Sequence, residues 1–516
     1  MGGEWIETTL GQVVESGGGF IQTGPFGSQL HASDYVPEGV PVIMPVNLAE
    51  NRVSLEDVAR IRETDAKRLS RHIVQEGDII YSRRGDVTRK ALITEKESGM
   101  FCGTGCLLVR PGSNVDSKFL TFHLSTPANQ EWIIRHAIGA TMPNLNTGIL
   151  GGIPLCLPSF DAQKSIAHIL GTLDDKIELN RQMNTTLEAM AQALFKSWFI
   201  DFDPVLDNAI MAGNPIPDEL QERAKIRRAM LDQNQPSPAL RPPSPSGRGA
   251  GSEGAKHDAL AVGNPIPDAL RPKAELRMLN AEKNNSSFST QHSAFFPDRF
   301  VFSEEMGWIP EGWGESSVGE QVETTGGGTP STKEPIYWGD GTHAFCTPKD
   351  MSLLSSMVLM DTERHLTDAG VNKISSGQLP PGTVLMSSRA PIGYLAISDI
   401  PVSVNQGIIG MLPSDKYGSI FLLCWAHFNI GNIEDRANGS TFLEISKKNF
   451  RPIPFVVPGD GLLDAFNDQA QAIYDKLLLT AECTESLTRL RDTLLPKLLS
   501  GELRIPEAEK ILEQAL

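Results

Sequence analysis

The clearest candidate for catalytic chemistry in this sequence is a glycine turn, FCGTGC (101–106), which has the form Phe101-x-Gly103-x-Gly105. Many binding sites for S-adenosylmethionine contain such a turn. Such a site also needs an acidic residue that follows the turn and binds the ribose, and methylation of an amino group needs an (Asn/Asp)-Pro-Pro-aromatic loop. Neither feature is found here. The corresponding place in the second half of the chain reads NQG (405–407). We therefore predict a tight turn that leads into a strand, and no cofactor site.

Other sequence patterns that mark enzymes are also missing. The sequence has no GxxxxGK[ST] loop for the phosphates of ATP, no GxSxG nucleophile elbow and no HExxH zinc motif. The six cysteines, at positions 102, 106, 156, 346, 424 and 483, form no CxxC pair. Buried thiols are therefore expected, and no metal site. The chain is predicted to be a binding protein that holds no cofactor or metal of its own.

The length and the charge of the chain limit the classes of protein that fit. A chain of 516 residues is expected to form two or three domains. Its net charge of -17 argues against a protein that coats nucleic acid nonspecifically, but it allows local basic surfaces. No apolar run reaches the length of a membrane span, and the N-terminus does not resemble a signal peptide, so we expect a cytoplasmic protein with no membrane association.

The chain contains an internal duplication. The hexamer IPLCLP (153–158) recurs as IPFVVP (453–458), and the offset of 300 then holds without a gap for about 60 residues. Upstream, GDIIYSRRG (77–85) matches GTVLMSSRA (382–390), and Trp5 matches Trp313. Each copy therefore consists of an entry tryptophan, a domain, an IPxxxP segment and a long helix.

The two parts of each copy differ in their hydrophobic pattern. The first part contains short apolar or alternating runs bounded by glycine, proline and aspartate, followed by a mixed segment typical of a helix. We therefore assign the fold class as α+β. The second part repeats apolar residues in steps of three and four, with polar residues in its central layers. These apolar positions are Leu170, Leu173, Ile177, Leu187, Leu194 and Trp198 in the first copy, and Ile473, Leu477, Leu487, Leu494 and Leu498 in the second.

A hydrophobic seam of this length needs a partner, and we predict a coiled coil between the two copies. The alternative is two amphipathic helices, each packed on its own domain. Between the copies lies a segment rich in proline, serine and glycine, with its own short repeat of GNPIPDEL (213–220) and GNPIPDAL (263–270). The predicted order is domain 1 (1–160), a helix (161–205), a linker (206–295), domain 2 (296–460), a helix (461–503) and a tail (504–516).

Several of these segments resemble a known family. TLDDKIELNRQMNTTLEAMAQALFKSWFIDFDPV (172–205) and LLPKLLSGEL (494–503) resemble conserved regions of the specificity subunit of type I restriction-modification systems. FPDRFVFSEEMGWIPEGW (296–313) is similar to the entry into the second domain of that family, and TGPFGSQL (23–30) is similar to a segment of its first domain. The resemblance covers nearly the whole chain except the linker.

The resemblance implies an architecture and a set of partners. Two target-recognition domains are held apart by two antiparallel helices, and each domain reads one half of a split sequence in double-stranded DNA. The subunit is not catalytic. It recruits two methyltransferase subunits, which use S-adenosylmethionine to methylate adenine, and two restriction (motor-nuclease) subunits, which use ATP and Mg²⁺. Such complexes serve in phage defence.

The residues that would contact DNA follow from the chemistry of the bases and from the duplication. Arginine pairs with guanine through two hydrogen bonds, asparagine and glutamine pair with adenine, and serine or lysine can hold phosphates. Positions shared by both copies should anchor phosphates or support the fold, and these are Ser82, Arg84, Ser387 and Arg389. Candidate base readers, which should differ between the copies, are Arg83, Arg89, Lys90, Asn405, Gln406, Lys447 and Lys448. An ordinary surface or turn position is the alternative for each.

Two other functions remain open from the sequence. One is a coiled-coil scaffold or inactive paralogue that no longer reads DNA, which the enlarged linker would suit. The other is a stand-alone DNA methyltransferase or nuclease, against which the missing catalytic loop argues.

Overall fold

The computed structural model describes residues 5–49, 51–55, 57–139, 142–234, 295–389, 391–439 and 443–516. Most of the predicted linker, including GNPIPDAL, lies outside these residues. The chain divides into two compact units: unit 1 contains residues 1–177 and 485–516, and unit 2 contains residues 178–484. Within the described ranges, no helix is long and apolar enough to cross a membrane.

The strands are short because glycine, proline and aspartate turns interrupt the apolar runs. They are β1 (Ile6–Thr9), β2 (Phe20–Thr23), β3 (Tyr35–Ile43), β4 (Leu48–Ala49), β5 (Arg52–Val53), β6 (Ala59–Ile61), β7 (Ile79–Ser82), β8 (Lys90–Leu92), β9 (Phe101–Cys102), β10 (Cys106–Arg110), β11 (Pro154–Leu157), β12 (Phe300–Ser303), β13 (Gly307–Pro310), β14 (Gly314–Ser317), β15 (Thr324–Gly326), β16 (His343–Cys346), β17 (Val358–Leu359), β18 (Arg364–Leu366), β19 (Val384–Ser388), β20 (Ile392–Ser398), β21 (Val402–Val404), β22 (Ile408–Met411) and β23 (Pro454–Val457).

Two helices are much longer than the rest, and they coincide with the two heptad-patterned segments. The helices are α1 (Leu10–Ser16), α2 (Glu63–Arg68), α3 (Ser117–His123), α4 (Pro127–His136), α5 (Thr147–Gly151), α6 (Phe160–Phe195), α7 (Asp203–Ala212), α8 (Gln221–Asn234), α9 (Val318–Gln321), α10 (Pro348–Ser352), α11 (Asp368–Asn372), α12 (Ser419–Phe428), α13 (Ile430–Asp435), α14 (Lys447–Phe450), α15 (Asp460–Ser500) and α16 (Ile505–Ala515). A π-helical turn, Lys196–Ile200, follows α6.

Unit 1 is built on a four-stranded antiparallel sheet with the order β2-β10-β7-β8. A smaller sheet, β6-β3-β9, lies in the same unit and contains one parallel pair, β3 with β9. One face of the larger sheet is buried in a cluster around Ile80, Ala91 and Leu108. The β-rich domain predicted for the first copy is therefore present, and its helices give it the mixed α+β class.

Unit 2 repeats this plan with one more strand. Its main sheet has the order β15-β22-β19-β20-β17, and its smaller sheet has the order β18-β16-β21. The strand registers confirm the duplication: Ser82 stands opposite Cys106 in unit 1, and Ser387 stands opposite Ile408 in unit 2. The sequence offsets that match the two copies therefore also match their hydrogen-bonded sheets.

The repeated hexamer has the same structural role in both copies. In unit 1 it forms β11, which pairs antiparallel with the entry strand β1, from Ile6 opposite Leu157 to Thr9 opposite Pro154. In unit 2 the corresponding pair is β14 with β23. The first isoleucine of each hexamer, Ile153 or Ile453, is fully buried. Each hexamer thus closes its domain against the strand that begins it, immediately before a long helix.

The two long helices pair in each unit. In unit 2 they run antiparallel, because Met183 of α6 lies at Thr480 of α15, whereas the later residue Phe195 of α6 meets the earlier residue Phe466 of α15. In unit 1, Asp174 of α6 forms a 2.7 Å ion pair with Arg491 of α15. The prediction of a mutual coiled coil is therefore confirmed. All its predicted apolar positions are buried or partly buried, and the partly buried ones are Leu187, Leu194 and Ile473.

The centre of the seam in unit 2 is polar, as the heptad pattern predicts. Asn180, Asn184, Thr480 and Thr484 are all buried there. Among the described residues, the Asn180 Nδ2 and Asn184 Oδ1 atoms have no hydrogen-bond partner. A buried polar layer in a coiled coil fixes the register of the helices at a cost in stability.

We expect the substitution Asn184→Leu to raise the free energy of unfolding of unit 2 by about 1–2 kcal/mol, because it removes a buried polar group without a full set of partners. Hydrogen exchange of the α6 and α15 amides measures this change. The matched control is the neighbouring exposed residue, Thr185→Leu, for which we expect a change within about 0.5 kcal/mol. Faster exchange in Asn184→Leu than in the wild type would contradict this account of the seam.

Residues 206–234, which the sequence pattern assigned to the linker, are largely helical. Helix α8 packs on α7 through Leu206, Ala209 and Ala224. The Arg223 guanidinium donates two hydrogen bonds of 2.7 Å to the Asp203 carboxylate. The first GNPIPDEL copy (213–220) connects these two helices, so it belongs to a folded part of unit 2.

Candidate nucleic-acid interface

Five turns of unit 1 meet at one end of its main sheet, and backbone hydrogen bonds join them. The Gly24 amide donates a hydrogen bond to the Cys106 carbonyl, and the Gly103 amide donates one to the Ile43 carbonyl, both at 2.9 Å. The Arg83 amide donates to the Gly105 carbonyl at 2.8 Å, and the Arg83 carbonyl accepts from the Leu145 amide at 2.9 Å. We call this group of turns turn cluster 1, and it comprises residues 24–27, 43–47, 83–89, 103–105 and 142–146.

Arginine and phenylalanine side chains dominate the surface of turn cluster 1. The Arg83 guanidinium carbon lies 5.8 Å from the centre of the Phe26 ring, and this ring is 52% exposed. Arg84 is exposed. Arg89 donates to the Pro45 carbonyl at 3.3 Å and lies 3.8 Å from the Asp86 carboxylate. This mixture of cations and an exposed aromatic ring suits a nucleic-acid surface.

Unit 2 has an equivalent group of turns at the same end of its main sheet. The Gly328 backbone amide donates a hydrogen bond to the Val404 carbonyl, and the Asn405 backbone amide donates one to the Cys346 carbonyl, both at 3.1 Å. Ser388 donates from its amide to Gly407 at 2.8 Å and accepts at its carbonyl from Ile445 at 3.0 Å. Turn cluster 2 comprises residues 326–329, 346–349, 388–389, 404–407 and 443–447.

The surface of turn cluster 2 is richer in amides. The Thr329 hydroxyl donates a 2.6 Å hydrogen bond to the Gln406 side-chain carbonyl. The Asn405 side-chain oxygen accepts from the Gly407 amide at 2.9 Å, so it caps the turn. Arg389 lies 3.7 Å from the Glu444 carboxylate. Lys447 and Lys448 are exposed at the start of α14 and add positive charge to this end of the sheet.

Three of the residues predicted from the sequence to contact DNA are buried and do not lie on the surface of either cluster. The Ser82 hydroxyl donates to the Arg84 carbonyl at 3.0 Å, and the Ser387 hydroxyl donates to the Pro391 carbonyl at 2.8 Å. Each serine thus donates to a carbonyl of the turn that follows its own strand, β7 or β19, which favours the fold-support interpretation of the two serines. Lys90 is only 4% exposed on β8, and burial lowers its pKa to about 7. Its amine is therefore not part of the surface of turn cluster 1.

The structure thus brings the other predicted residues together in two groups, one in each unit: Arg83, Arg84 and Arg89 in turn cluster 1, and Arg389, Asn405, Gln406 and Lys447 in turn cluster 2, with Lys448 beside it. These surfaces also contain three residues that were not predicted from the sequence: Phe26, Thr329 and Glu444. Phe26 lies in the TGPFGSQL segment between Pro25 and Gly27, and this composition is the sequence signal of a surface turn.

The glycine turn at 103–105 is confirmed as a tight turn that leads into β10. A Cβ atom at Gly103 would lie 2.7 Å from the Ile43 carbonyl oxygen, so the glycine allows two turns of the cluster to approach closely. Among the described residues, no group of three or more histidine, cysteine, aspartate or glutamate side chains is arranged to hold a metal ion.

We expect Gly24→Ala to destabilise unit 1 by about 1–3 kcal/mol, because its Cβ atom would lie 1.9 Å from the Gly103 carbonyl oxygen and would force the turns apart. Urea unfolding measures this loss. The matched control is Gly27→Ala in the same loop, where the added methyl group meets no atom within 4 Å. Equal losses in both variants would argue against the close contact at Gly24.

The sequence of the chain is similar to those of several known proteins. Residues 3–189 and 310–461, about two thirds of the chain, match the model of the type I restriction modification DNA specificity domain. The specificity subunit of the type I restriction enzyme HindI from Haemophilus influenzae is 26% identical over 441 residues, which are 83% of this chain and 87% of that protein. The MjaIX specificity subunit from Methanocaldococcus jannaschii is 35% identical over 156 residues, which are 30% of this chain and 36% of that protein.

A crystal structure of the S subunit of a type I restriction-modification system from M. genitalium aligns over 96% of both chains, with 16% identity and a TM-score of 0.46. The two segments that match the family model contain the main sheets of units 1 and 2 and both turn clusters. Because this match covers more than half of the chain, the protein belongs to the type I restriction-modification DNA specificity family.

Proposed function

We propose that this chain is the DNA-reading subunit of a type I restriction-modification complex, and that each turn cluster binds one half of a split target sequence. The observation that carries this proposal is the presence of two equivalent surfaces, one in each DNA specificity domain. Each surface has exposed cations and hydrogen-bonding groups at the same end of the same sheet. A duplicated reader of this kind suits a target with two separate halves.

Each cluster has residues that are shared with the other cluster and residues that differ from it. The shared residues suit phosphate binding, and the differing residues suit base recognition. Arg84 and Arg389 occupy equivalent positions after β7 and β19, so they are suited to phosphates, which are the same in every sequence. Side chains that differ between the clusters, such as Arg83 and Gln406, are suited to base edges in the major groove. The protein as a whole is acidic, with a net charge of -17, whereas the two turn clusters are local basic surfaces.

We further propose that the chain supplies recognition and assembly, and that its partners supply the chemistry. Two methyltransferase subunits would use S-adenosylmethionine to methylate adenine in each half-site. Two restriction subunits would use ATP and Mg²⁺ to cleave unmethylated DNA. The long helix pair, which is duplicated with the domains, suits the binding of two copies of one partner. Such a complex would act in the cytoplasm, where it meets incoming DNA.

A base-resolution map of methylated adenines tests this proposal. Cells that carry the chain with its neighbouring methyltransferase are compared with cells that lack only the chain. We expect a split motif that disappears with the chain. An unchanged map would contradict the proposal, and it would favour a scaffold that does not read DNA. Methyl transfer by the purified chain without any partner would instead favour an enzyme.

A further inference from the structure

The two turn clusters differ in chemistry at two equivalent positions. The first position follows the buried serine of the strand–turn, where unit 1 has Arg83 and unit 2 has the buried residue Ser388. The second position lies in the turn before β10 or β22, where unit 1 has Thr104 and unit 2 has Gln406. Each cluster therefore has a long hydrogen-bonding side chain where the other cluster has a short one.

Arg83 is the arginine of turn cluster 1 that is best arranged to contact a base. Its guanidinium carbon lies over the Phe26 ring, 5.8 Å from the ring centre, and among the described residues no carboxylate forms an ion pair with this arginine. Arg89 differs, because it is held by Asp86 and the Pro45 carbonyl. The buried Arg83 Nε atom has no hydrogen-bond partner in the described part of the chain, while the side chain as a whole is partly exposed. A guanidinium held on a flat ring keeps its outer N–H groups available for a planar acceptor pair.

Gln406 holds the corresponding place in turn cluster 2. It is exposed, and its carbonyl oxygen is oriented by the 2.6 Å hydrogen bond from Thr329. That oxygen can accept a second hydrogen bond, and the amide nitrogen can donate two. The neighbouring amide of Asn405 is less suited, because its oxygen caps the turn at Gly407. In unit 1 the Thr104 side chain forms a hydrogen bond with the Tyr35 side chain.

We propose that the two domains read chemically different bases: Arg83 contacts a guanine in the half-site of unit 1, and Gln406 contacts an adenine in the half-site of unit 2. This inference rests on the proposed function and adds the base class of each half-site. Arginine donates two hydrogen bonds to the O6 and N7 acceptors of guanine, whereas glutamine pairs with the N6 donor and N7 acceptor of adenine. Phe26 and Thr329 are positioning residues, because each acts by orienting a base-reading side chain.

Selection of duplexes from a random DNA pool by the full chain tests the inference. We expect the wild type to select a split sequence. In Arg83→Ala, one guanine of one half-site should lose its selection, a loss of about 5- to 150-fold in preference, while the other half-site is unchanged. Gln406→Ala should cause the same loss for an adenine in the opposite half-site. Phe26→Ala should weaken the guanine preference without removing it.

Arg84→Ala is the matched control beside Arg83. Because Arg84 is proposed to contact a phosphate, its replacement by alanine should lower the affinity for every sequence equally, with base preferences unchanged. The slope of log K against log salt concentration should become less steep by about one. If Arg83→Ala gives this same uniform loss, or leaves every preference in place, the inference is overturned. If the wild type selects no split sequence, the proposed function itself has failed.

A variant that fails to fold would also remove selection, so folding is measured separately. Far-ultraviolet circular dichroism of each variant is compared with that of the wild type. Arg83→Lys provides a second variant that keeps the charge but lacks the planar pair of donors. We expect it to fold, to retain affinity and to keep only part of the guanine preference, because an ammonium group can also donate to O6 and N7 but lacks the fixed planar geometry. Full guanine preference in Arg83→Lys would contradict bidentate reading.

Discussion

Replacing Phe466 by alanine should lower the free energy of unfolding of unit 2 by about 3–5 kcal/mol, because the change leaves a cavity at the centre of its aromatic cluster. The Phe466 ring is fully buried on α15. Its centre lies 5.1 Å from the Phe199 ring, 5.8 Å from Phe421, 5.9 Å from Phe195 and 6.0 Å from Trp198. These rings come from both long helices, from the π-helical turn that follows α6 and from α12, so the loss affects the attachment of the helix pair to the domain of unit 2.

Urea unfolding followed by tryptophan fluorescence measures this loss, since five of the seven tryptophans lie in unit 2. The matched control is Phe302→Ala on the β12–β13 hairpin, where the ring is 63% exposed and its removal should cost less than about 1 kcal/mol. Similar unfolding curves for Phe466→Ala and Phe302→Ala would contradict the assignment of Phe466 as the centre of this core.

Replacing Lys90 by methionine should stabilise unit 1 at pH 7 by about 4 kcal/mol, and the gain should shrink as the pH rises. Burial lowers the pKa of Lys90 from its ordinary value of 10.5 to about 7. Between these two values the unfolded chain holds a proton that the folded chain has released. The wild type therefore gains stability as the pH rises through this window, by about 1.4 kcal/mol for each pH unit. Below pH 7 the full penalty for the buried amine applies.

Hydrogen exchange of the β7 and β8 amides at pH 7, 8 and 9 measures this difference, after correction for the intrinsic exchange rate at each pH. The control is Lys96→Met, at an exposed position six residues along the chain, which should change the free energy of opening by less than about 0.5 kcal/mol at each pH. A difference between Lys90→Met and the wild type that stays constant from pH 7 to pH 9 would contradict the burial of a neutral amine.

The duplication and the helix pair are readable from the sequence because both leave regular patterns in it. The IPxxxP hexamers recur at a fixed offset, and the apolar residues from Leu170 to Trp198 recur at heptad spacing. Helices α7 and α8 leave a weaker pattern, since the GNPIPDEL segment between them reads as a turn-rich linker. Their packing depends on ion pairs such as Arg223 with Asp203, which lie 20 residues apart and follow no periodicity.

The proposed binding surfaces are only partly predictable from the sequence, since residue type does not reveal burial. Lys90 begins a short strand, and its charge predicted exposure, but β8 contacts helix α3, and the buried residue Ala91 packs into the sheet core. The neighbouring arginines Arg83 and Arg84 are equally basic in the sequence. The contact that distinguishes Arg83 is made with Phe26, 57 residues earlier, and only the fold brings these two turns together.

Each turn cluster should read its own half of the target, and the exchange of one domain is a direct test. Residues 1–158, which contain turn cluster 1 and end with the first IPxxxP segment, are replaced by the corresponding domain of another family member. Methylated adenines are then mapped in cells that also carry the neighbouring methyltransferase. We expect one half of the split motif to change and the other half to stay as it was. A change in both halves, or in neither, would contradict two independent readers.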